Sequence, residues 1–315
     1  MSMFGEANYK GEFVIKASDI TFGKGKSRVE NLSFQINPGD IFGIVGTFIP
    51  EACELFKILV GIAKPLKGSV LYQPYGDIKT VNNLGRLGVY LRGSALVPEL
   101  TLLENLELAG RLRGAKNPSS AASEILSIFD LDDFSNIKVK SLAKNLELKA
   151  TVIATFVNFP DFIFLDDFTT LLDKDSANSI VNFLKSESGL GKCVCVLTDE
   201  PEDMCNRVLM LRGLRGPTIG PPSSILESTL GFETVEVKVR GLRPSDAERI
   251  LTPIQGSWLF ESDEEATLYV DNTQEVLDHL FRSLVSSGVK ILRVGLKRPT
   301  FRLILRKISA GGEQR

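Results

Sequence analysis

The sequence predicts a two-part chain: an α/β domain on a mainly parallel sheet, then a small α+β domain with a ferredoxin-like order of elements. Three observations predict it. In the first part, short apolar runs alternate with segments of helical spacing. Residues 212–231 then read RGLRGPTIGPPSSILESTLG, rich in Gly, Pro and Ser. Beyond them the elements run β-α-β-β-α-β. The boundary is placed between residues 229 and 230. A chain of 315 residues, 43% apolar, is long enough for one large and one small core.

Along the first part, FVIKASDITF (13–22) and SRVENLSFQI (27–36) read as strands separated by the turn-rich GKGK. GDIFGIVG (39–46) is an apolar run ending on glycine, a buried strand, and CELFKILVGI (53–62) follows with helical spacing. TLLENLELAGRLR (101–113) opens with Thr101 and carries Glu104 three residues on, the pattern of a capping box. Residues 119–130 form a further helix. FIFLDD (162–167) is a second buried strand with acids at its end, SANSIVNFLKSE a helix, and KCVCVLT a third buried strand. Such alternation implies a parallel sheet with right-handed crossovers. In the second part, ETVEVKVRG alternates as a strand and SDAERILTPI is a short helix. GSWLFESD and EATLYVD form a hairpin across Asp263–Glu265. TQEVLDHLFRSLVSSG is a helix, KILRVGL a strand and TFRLILRKIS a terminal helix. No cluster of catalytic residue types lies there, so this part is expected to serve packing or dimerisation.

Net charge is −2 and the basic residues are scattered, which argues against nucleic acid as the partner. The opening MSMFGEANYKGEF lacks a secretory layout, and no apolar run approaches the roughly 20 residues that span a bilayer. The expectation is a cytoplasmic chain that reaches a membrane through partner subunits. Cys193 and Cys195 sit in a buried strand and read as small core residues rather than metal ligands. His279, in a helix-like stretch, is the one histidine, which excludes any mechanism that needs a histidine elsewhere in the chain.

Several blocks together resemble the ATPase subunits of ABC transporters, nearest to the ABC-2 exporter kind. They are GDIFGIVG with LFKILVGIAKPLKGSVLY, then VPELTLLENLELAGRLRG, then NFPDFIFLDDFTTLLD. The resemblance implies an ABC-type P-loop NTPase fold with a helical subdomain. The tail, SSGVKILRVGLKRPTFRLILRKI, resembles that subfamily's extension less closely, with Phe301 and Arg302 where an acidic pair is usual.

A working P-loop is G-x-x-x-x-G-K-[ST]: backbone N–H groups surround the phosphates, lysine neutralises charge and the hydroxyl holds Mg²⁺. Here the loop runs Gly46-Thr47-Phe48-Ile49-Pro50-Glu51-Ala52-Cys53. Glu51 replaces the second glycine, Ala52 the lysine and Cys53 the hydroxyl residue. Pro50 removes an N–H donor, and Phe48 and Ile49 add apolar bulk. Glu51 and Glu54 lie at the helix start, where an anion would bind. They either plug the vestigial phosphate site or are first-turn acids facing water.

The resemblance carries the same pattern to the other motifs. The Q-loop glutamine aligns with Arg92. The signature serine and glycines align with Ala143, Lys144, Asn145 and Leu146, after Leu142. Asp166 keeps the metal-side Walker B position. The catalytic glutamate is shortened to Asp167, a misplacement that can lower rate about 10²-fold. The switch histidine aligns with Asp199, and the D-loop keeps Asp173. Phe22 stands where an adenine-stacking aromatic lies in the family, with core packing as its plainer role. Only Lys144 and Arg92 suggest themselves as surrogates for the lost lysine. No bound ATP, Mg²⁺ or other metal is expected.

What survives suggests docking. The resemblance places Glu104, Asn105 and Leu106 in the subdomain that contacts membrane subunits, so the expected partners are an integral membrane subunit, a second cassette, or both. The resulting reading is a catalytically inactive cassette subunit that docks on, supports or regulates a membrane assembly, as a homo- or heterodimer. The alternatives are a soluble dimeric scaffold or regulator and a weak residual ATPase.

Overall fold

In the computed structural model, residues 13–211, 216–230, 234–297 (without 255, 261, 263 and 264) and 300–305 (without 303) are described. They form two compact units that part between residues 211 and 220, ahead of the 229/230 boundary read from composition. The first twelve residues, part of the linker and the tip of the 263–265 hairpin lie outside the described residues. So does much of the expected terminal helix, of which Phe301, Ile304 and Leu305 are described and buried.

In the first unit, β1 (Val14–Phe22) and β2 (Val29–Ile36) are followed by β3 (Ile41–Val45) and α1 (Pro50–Leu59). Then come β4 (Lys67–Gln73), α2 (Ile78–Asn83), β5 (Leu87–Tyr90), α3 (Leu102–Leu112), α4 (Pro118–Ile128) and α5 (Lys144–Ile153). β6 (Phe162–Asp166), α6 (Lys174–Gly189), β7 (Cys193–Thr198), β8 (Arg207–Met210) and β9 (Thr218–Gly220) complete it. A six-stranded sheet has the order β5-β6-β7-β3-β8-β9, and β1 lies between β2 and β4 in a separate three-stranded sheet. The pairs β5–β6, β6–β7, β7–β3 and β3–β8 are all parallel.

Burial explains why these runs are strands. Every residue of β3 and β7 is buried, as a parallel sheet covered on both faces requires. Phe164 of β6 meets Phe56 of α1 edge to face at 6.0 Å, so the helix after β3 is anchored on the sheet by aromatic packing. Cys193 and Cys195 are both fully buried, and burial pushes the Cys193 thiol up to about 12. Among the described residues no group of ligating side chains could hold a metal. Nor is any helix among them long and apolar enough to cross a membrane.

The second unit contains α7 (Pro222–Leu230), β10 (Thr234–Arg240), α8 (Pro244–Leu251), β11 (Ser257–Phe260), β12 (Glu265–Asp271), α9 (Gln274–Ser286) and β13 (Lys290–Lys297). Its antiparallel sheet has the order β11-β12-β10-β13, the ferredoxin-like arrangement. Alternation builds its core. Val235, Val237 and Val239 of β10 pack with Leu268 and Val270 of β12, and Leu280 and Leu284, one turn apart, close the core from α9. His279 contacts the Ile250 carbonyl at 3.2 Å through Nε2 and belongs to this packing.

Candidate functional site

Four chain segments meet at the end of β3, β6 and β7: the loop into α1, the start of α1, the residues after β5 and the residues after β7. Gly46 turns the chain out of β3 with φ +114°, a conformation that L side chains rarely adopt. An added Cβ there would lie 2.7 Å from the Ile49 side chain. Ile49 is thus folded over the loop and buried, whereas Phe48 is 51% exposed. Of the two residues expected to supply apolar bulk, Phe48 is exposed and Ile49 is buried, and neither lines the cavity beside the loop.

α1 begins at Pro50, one turn before the expected start, because proline is tolerated at the first helical position, where the N–H has no partner within the helix. Its N-cap, Ile49, offers no side-chain acceptor. The loop ahead of the helix is instead held from far along the chain. Thr47 donates its backbone N–H to Asp199 Oδ1 at 2.7 Å and its hydroxyl to Asp199 Oδ2 at 2.8 Å. The carboxylate standing where the family's switch histidine aligns therefore takes up hydrogen bonds from the loop. A carboxylate satisfies such donors through charge-assisted bonds, as a phosphate does. Cys53 turns back on the same loop, its thiol donating to the Thr47 carbonyl at 3.1 Å. Burial and the nearby Asp166 carboxylate raise the Cys53 pKa against the opposing pull of Lys57.

Of the two acids expected to plug the loop or to face water, Glu54 is engaged elsewhere. Glu54 Oε1 accepts from the Gly23 N–H at 3.3 Å, at the end of β1. Glu51 is 3% exposed, buried rather than facing water. Neither lines the cavity at the loop, which is about 140 Å³ and bounded by Thr47, Cys53, Lys57, Arg92 and Asp166 with Phe56, Leu91 and Leu197. Ala52, in the lysine position, is fully buried.

Arg92 follows β5 and spans the Walker B end of β6. Its backbone N–H donates to Asp166 Oδ2 at 3.1 Å, and its guanidinium donates to Thr170 Oγ1 at 2.9 Å and forms an ion pair with Asp167. Thr170 Oγ1 also donates to Asp167 Oδ2 at 3.0 Å. Asp167 is 2% exposed with φ +43°, a left-handed conformation that aspartate adopts more readily than glutamate. Its Oδ1 has no hydrogen-bond partner among the described residues. Asp167, aligned with the catalytic glutamate of the resembled motif, is thus paired with a cation of the same chain.

The expected surrogates separate. Arg92 lines the cavity but is tied to Asp167. Lys144 is exposed at the start of α5, paired with Glu147 at 3.1 Å, and does not line it. Sequence reasoning missed Lys57, which does line it. The available signal was the i, i+4 spacing from Cys53, which puts both on one helix face.

The remaining motif residues are structural. Asp173 caps α6, accepting the Ser176 N–H at 2.8 Å, and that bond holds its carboxyl below the usual range, with a further contribution from Asn145. Ala143 is the N-cap of α5 without a side-chain bond, and Leu146 lies in that helix, half-buried. Phe22 is fully buried, so core packing is its role. Asn105 and Leu106 are buried, which removes them from a docking face. Asn105 shapes the loop before α3 instead. It accepts the Val97 N–H at 2.7 Å and donates to the carbonyls of Val97 at 3.0 Å and Thr101 at 2.9 Å. Glu104 is exposed and engaged in the capping box with Thr101.

No protein-family model matches the chain. Among curated proteins, it is similar to the Nod factor export ATP-binding protein I of Neorhizobium galegae, 30% identical over 238 residues, covering 73% of this chain and 67% of that protein. The protein of the same name from Rhizobium etli is 27% identical over 288 residues, covering 89% of each chain. Two solved structures share the fold. A dimeric post-hydrolysis state of the ATP-binding cassette MJ0796 bound to ADP and Pi aligns with TM-score 0.53 at 23% identity, over 63% of this chain and 94% of that one. An ATP-binding subunit of an ABC transporter aligns with TM-score 0.59 at 17% identity, over 68% and 92%. With that sequence identity and coverage, and with this sheet order, the chain belongs to the ATP-binding-cassette family of ABC transporter subunits.

Proposed function

We propose that this chain is a catalytically inactive cassette subunit that docks on a membrane export assembly and supports or regulates it without hydrolysing ATP. The observation that carries the reading is the engagement of the phosphate loop by Asp199. Thr47 already donates its N–H and hydroxyl to a carboxylate of the same chain. An incoming triphosphate would have to displace that carboxylate and would then face Asp166 and Asp199 with no lysine at position 52. Like charges so close disfavour binding strongly where water is partly excluded. The Arg92–Asp167 pair adds to this: the carboxylate best placed to act on water is neutralised. The relatives named for Nod factor export support an export assembly as the setting.

The test is calorimetry of the purified chain with Mg-ATP, together with phosphate release. The expected result is no heat of binding below millimolar nucleotide and no turnover. Micromolar affinity would overturn the reading. A second reading, a weak residual ATPase, is favoured by Lys57 on the cavity wall with Asp166. It requires measurable turnover that is lost in Lys57→Ala. Docking is tested separately, by whether the chain purifies with an integral membrane subunit.

A further inference from the structure

Among the described residues, the strands of the second unit leave one sheet edge open. β13 ends the order β11-β12-β10-β13. Its pairing sets Val294 opposite Val237 and Leu296 opposite Val235, two core residues, so both lie on the helix-covered face. Yet Val294 is 50% exposed and Leu296 63%. Beside them Leu277 and Phe281 of α9, with Asn272, line a groove that Val294 and Leu296 share. A bulge blunts the start of the strand: Val239 faces Ile291 and Lys238 faces Arg293, leaving Leu292 as the extra residue. From Leu292 onward the sequence alternates as Leu-Arg-Val-Gly-Leu, with Val294 and Leu296 on the groove side and Arg293, opposite Lys238, on the other.

That run is self-complementary. Against an antiparallel second copy with Val294 on the two-fold axis, Leu292 meets the partner's Leu296 and Leu296 meets the partner's Leu292, beside the groove. Arg293 then meets the partner's Gly295, which has no side chain, so the guanidinium groups do not oppose each other. Slipping the register by one residue pairs the apolar face with the polar one. Moving the axis to Arg293 sets Arg293 against itself, and moving it to Gly295 sets Arg293 against the partner's Lys297. Like charges directly opposite are destabilising. An open, apolar edge free of such conflicts is suited to accept a further strand.

We infer that β13 is the pairing edge of a two-fold interface between two copies of this chain, with Val294 on the axis, joining two four-stranded sheets into one. A contact of this kind is isologous and closes at the dimer. It is independent of the proposed loss of ATP chemistry, since the unit carrying it contains none of the phosphate-loop residues.

The test is oxidative cross-linking of the full chain without nucleotide. Val294→Cys is expected to form a disulfide-linked dimer, and the parent, whose free cysteines are buried or half-buried, is expected to form none. Leu292→Cys and Leu296→Cys should each cross-link poorly alone and well when mixed, because the register sets them against each other. Val294→Lys should weaken self-association in sedimentation equilibrium at least tenfold. Absence of the Val294→Cys cross-link overturns the inference, even in a dimer held by other contacts. So does equal cross-linking of Leu292→Cys alone and in the mixture, or unchanged self-association of Val294→Lys.

Discussion

α3 and α1 begin in opposite ways. α3 is closed by its neighbours in sequence: Thr101 accepts the Glu104 N–H at 3.2 Å, and Glu104 accepts the Thr101 N–H at 2.7 Å. α1 has an apolar N-cap and a proline, and the loop leading into it is held by Asp199, 152 residues away. The first start is complete in four residues. The second exists only once β3 and β7 are side by side. The lesson is that a loop whose N-cap residue offers no side-chain acceptor can have its donors met from elsewhere in the fold. Here the fold supplies a carboxylate and a guanidinium to the polar groups of the loop and of the Walker B strand.

Four measurements break or sharpen this contrast. The largest effect is expected for Arg92→Ala, which strips the cation from buried Asp167. Breaking a buried pair costs about 3–5 kcal/mol, and the half-exposed Arg92 lowers that to about 2 kcal/mol by urea unfolding. The double variant Arg92→Ala with Asp167→Asn should recover most of it; a double variant as unstable as the single one would show that the pair is not the cause. Next, Asp199→Ala leaves the Thr47 donors without their carboxylate and is expected to cost about 1–2 kcal/mol. If it costs nothing, the remote closure of the loop is incidental. Thr101→Ala removes the local cap and should cost about 1 kcal/mol, read from the same urea midpoint.

The smallest effect is a pH dependence. The Thr101 N–H holds the Glu104 carboxyl below its usual range, and the Ser176 N–H does the same for Asp173. A depressed carboxyl contributes stability above its unfolded pKa and loses it as pH falls through the folded value. The urea midpoint should therefore fall on acidification below about pH 4, and less steeply when Glu104→Gln and Asp173→Asn are combined. A slope that stays the same in the double variant would place the acid sensitivity elsewhere.

Much of the cassette was legible in the sequence because its signals are local. All-apolar runs such as IFGIV and CVCVLT announce strands buried on both faces, and Thr101 with Glu104 announces a helix start. The β-α-β-β-α-β order of the second unit is likewise readable from alternation and linkers. The candidate site was legible as departures from the resembled motifs at Ala52, Cys53 and residues 143–146. It was not legible as an arrangement. Glu51 and Glu54 looked like the plug because they are near the loop in sequence, yet Asp199 is the carboxylate that meets it. Asn105 and Leu106 looked like a docking face, yet the amphipathic turn of α3 carries them inward. Lys57 was overlooked because spacing puts it only on the helix face of Cys53, while its place on the cavity wall with Asp166 depends on packing.

By itself, then, the amino-acid order determined which segments become strands and helices, where each local cap sits, and where the chain departs from the motifs it resembles. Hydrogen bonds over a few residues and hydrophobic periodicity depend only on neighbours. Tertiary structure alone decided that Asp199 engages the phosphate loop and that Arg92 pairs with Asp167. Each of these is a contact between chain segments that become neighbours only when the sheets assemble, and no pattern along the chain encodes the distance between them.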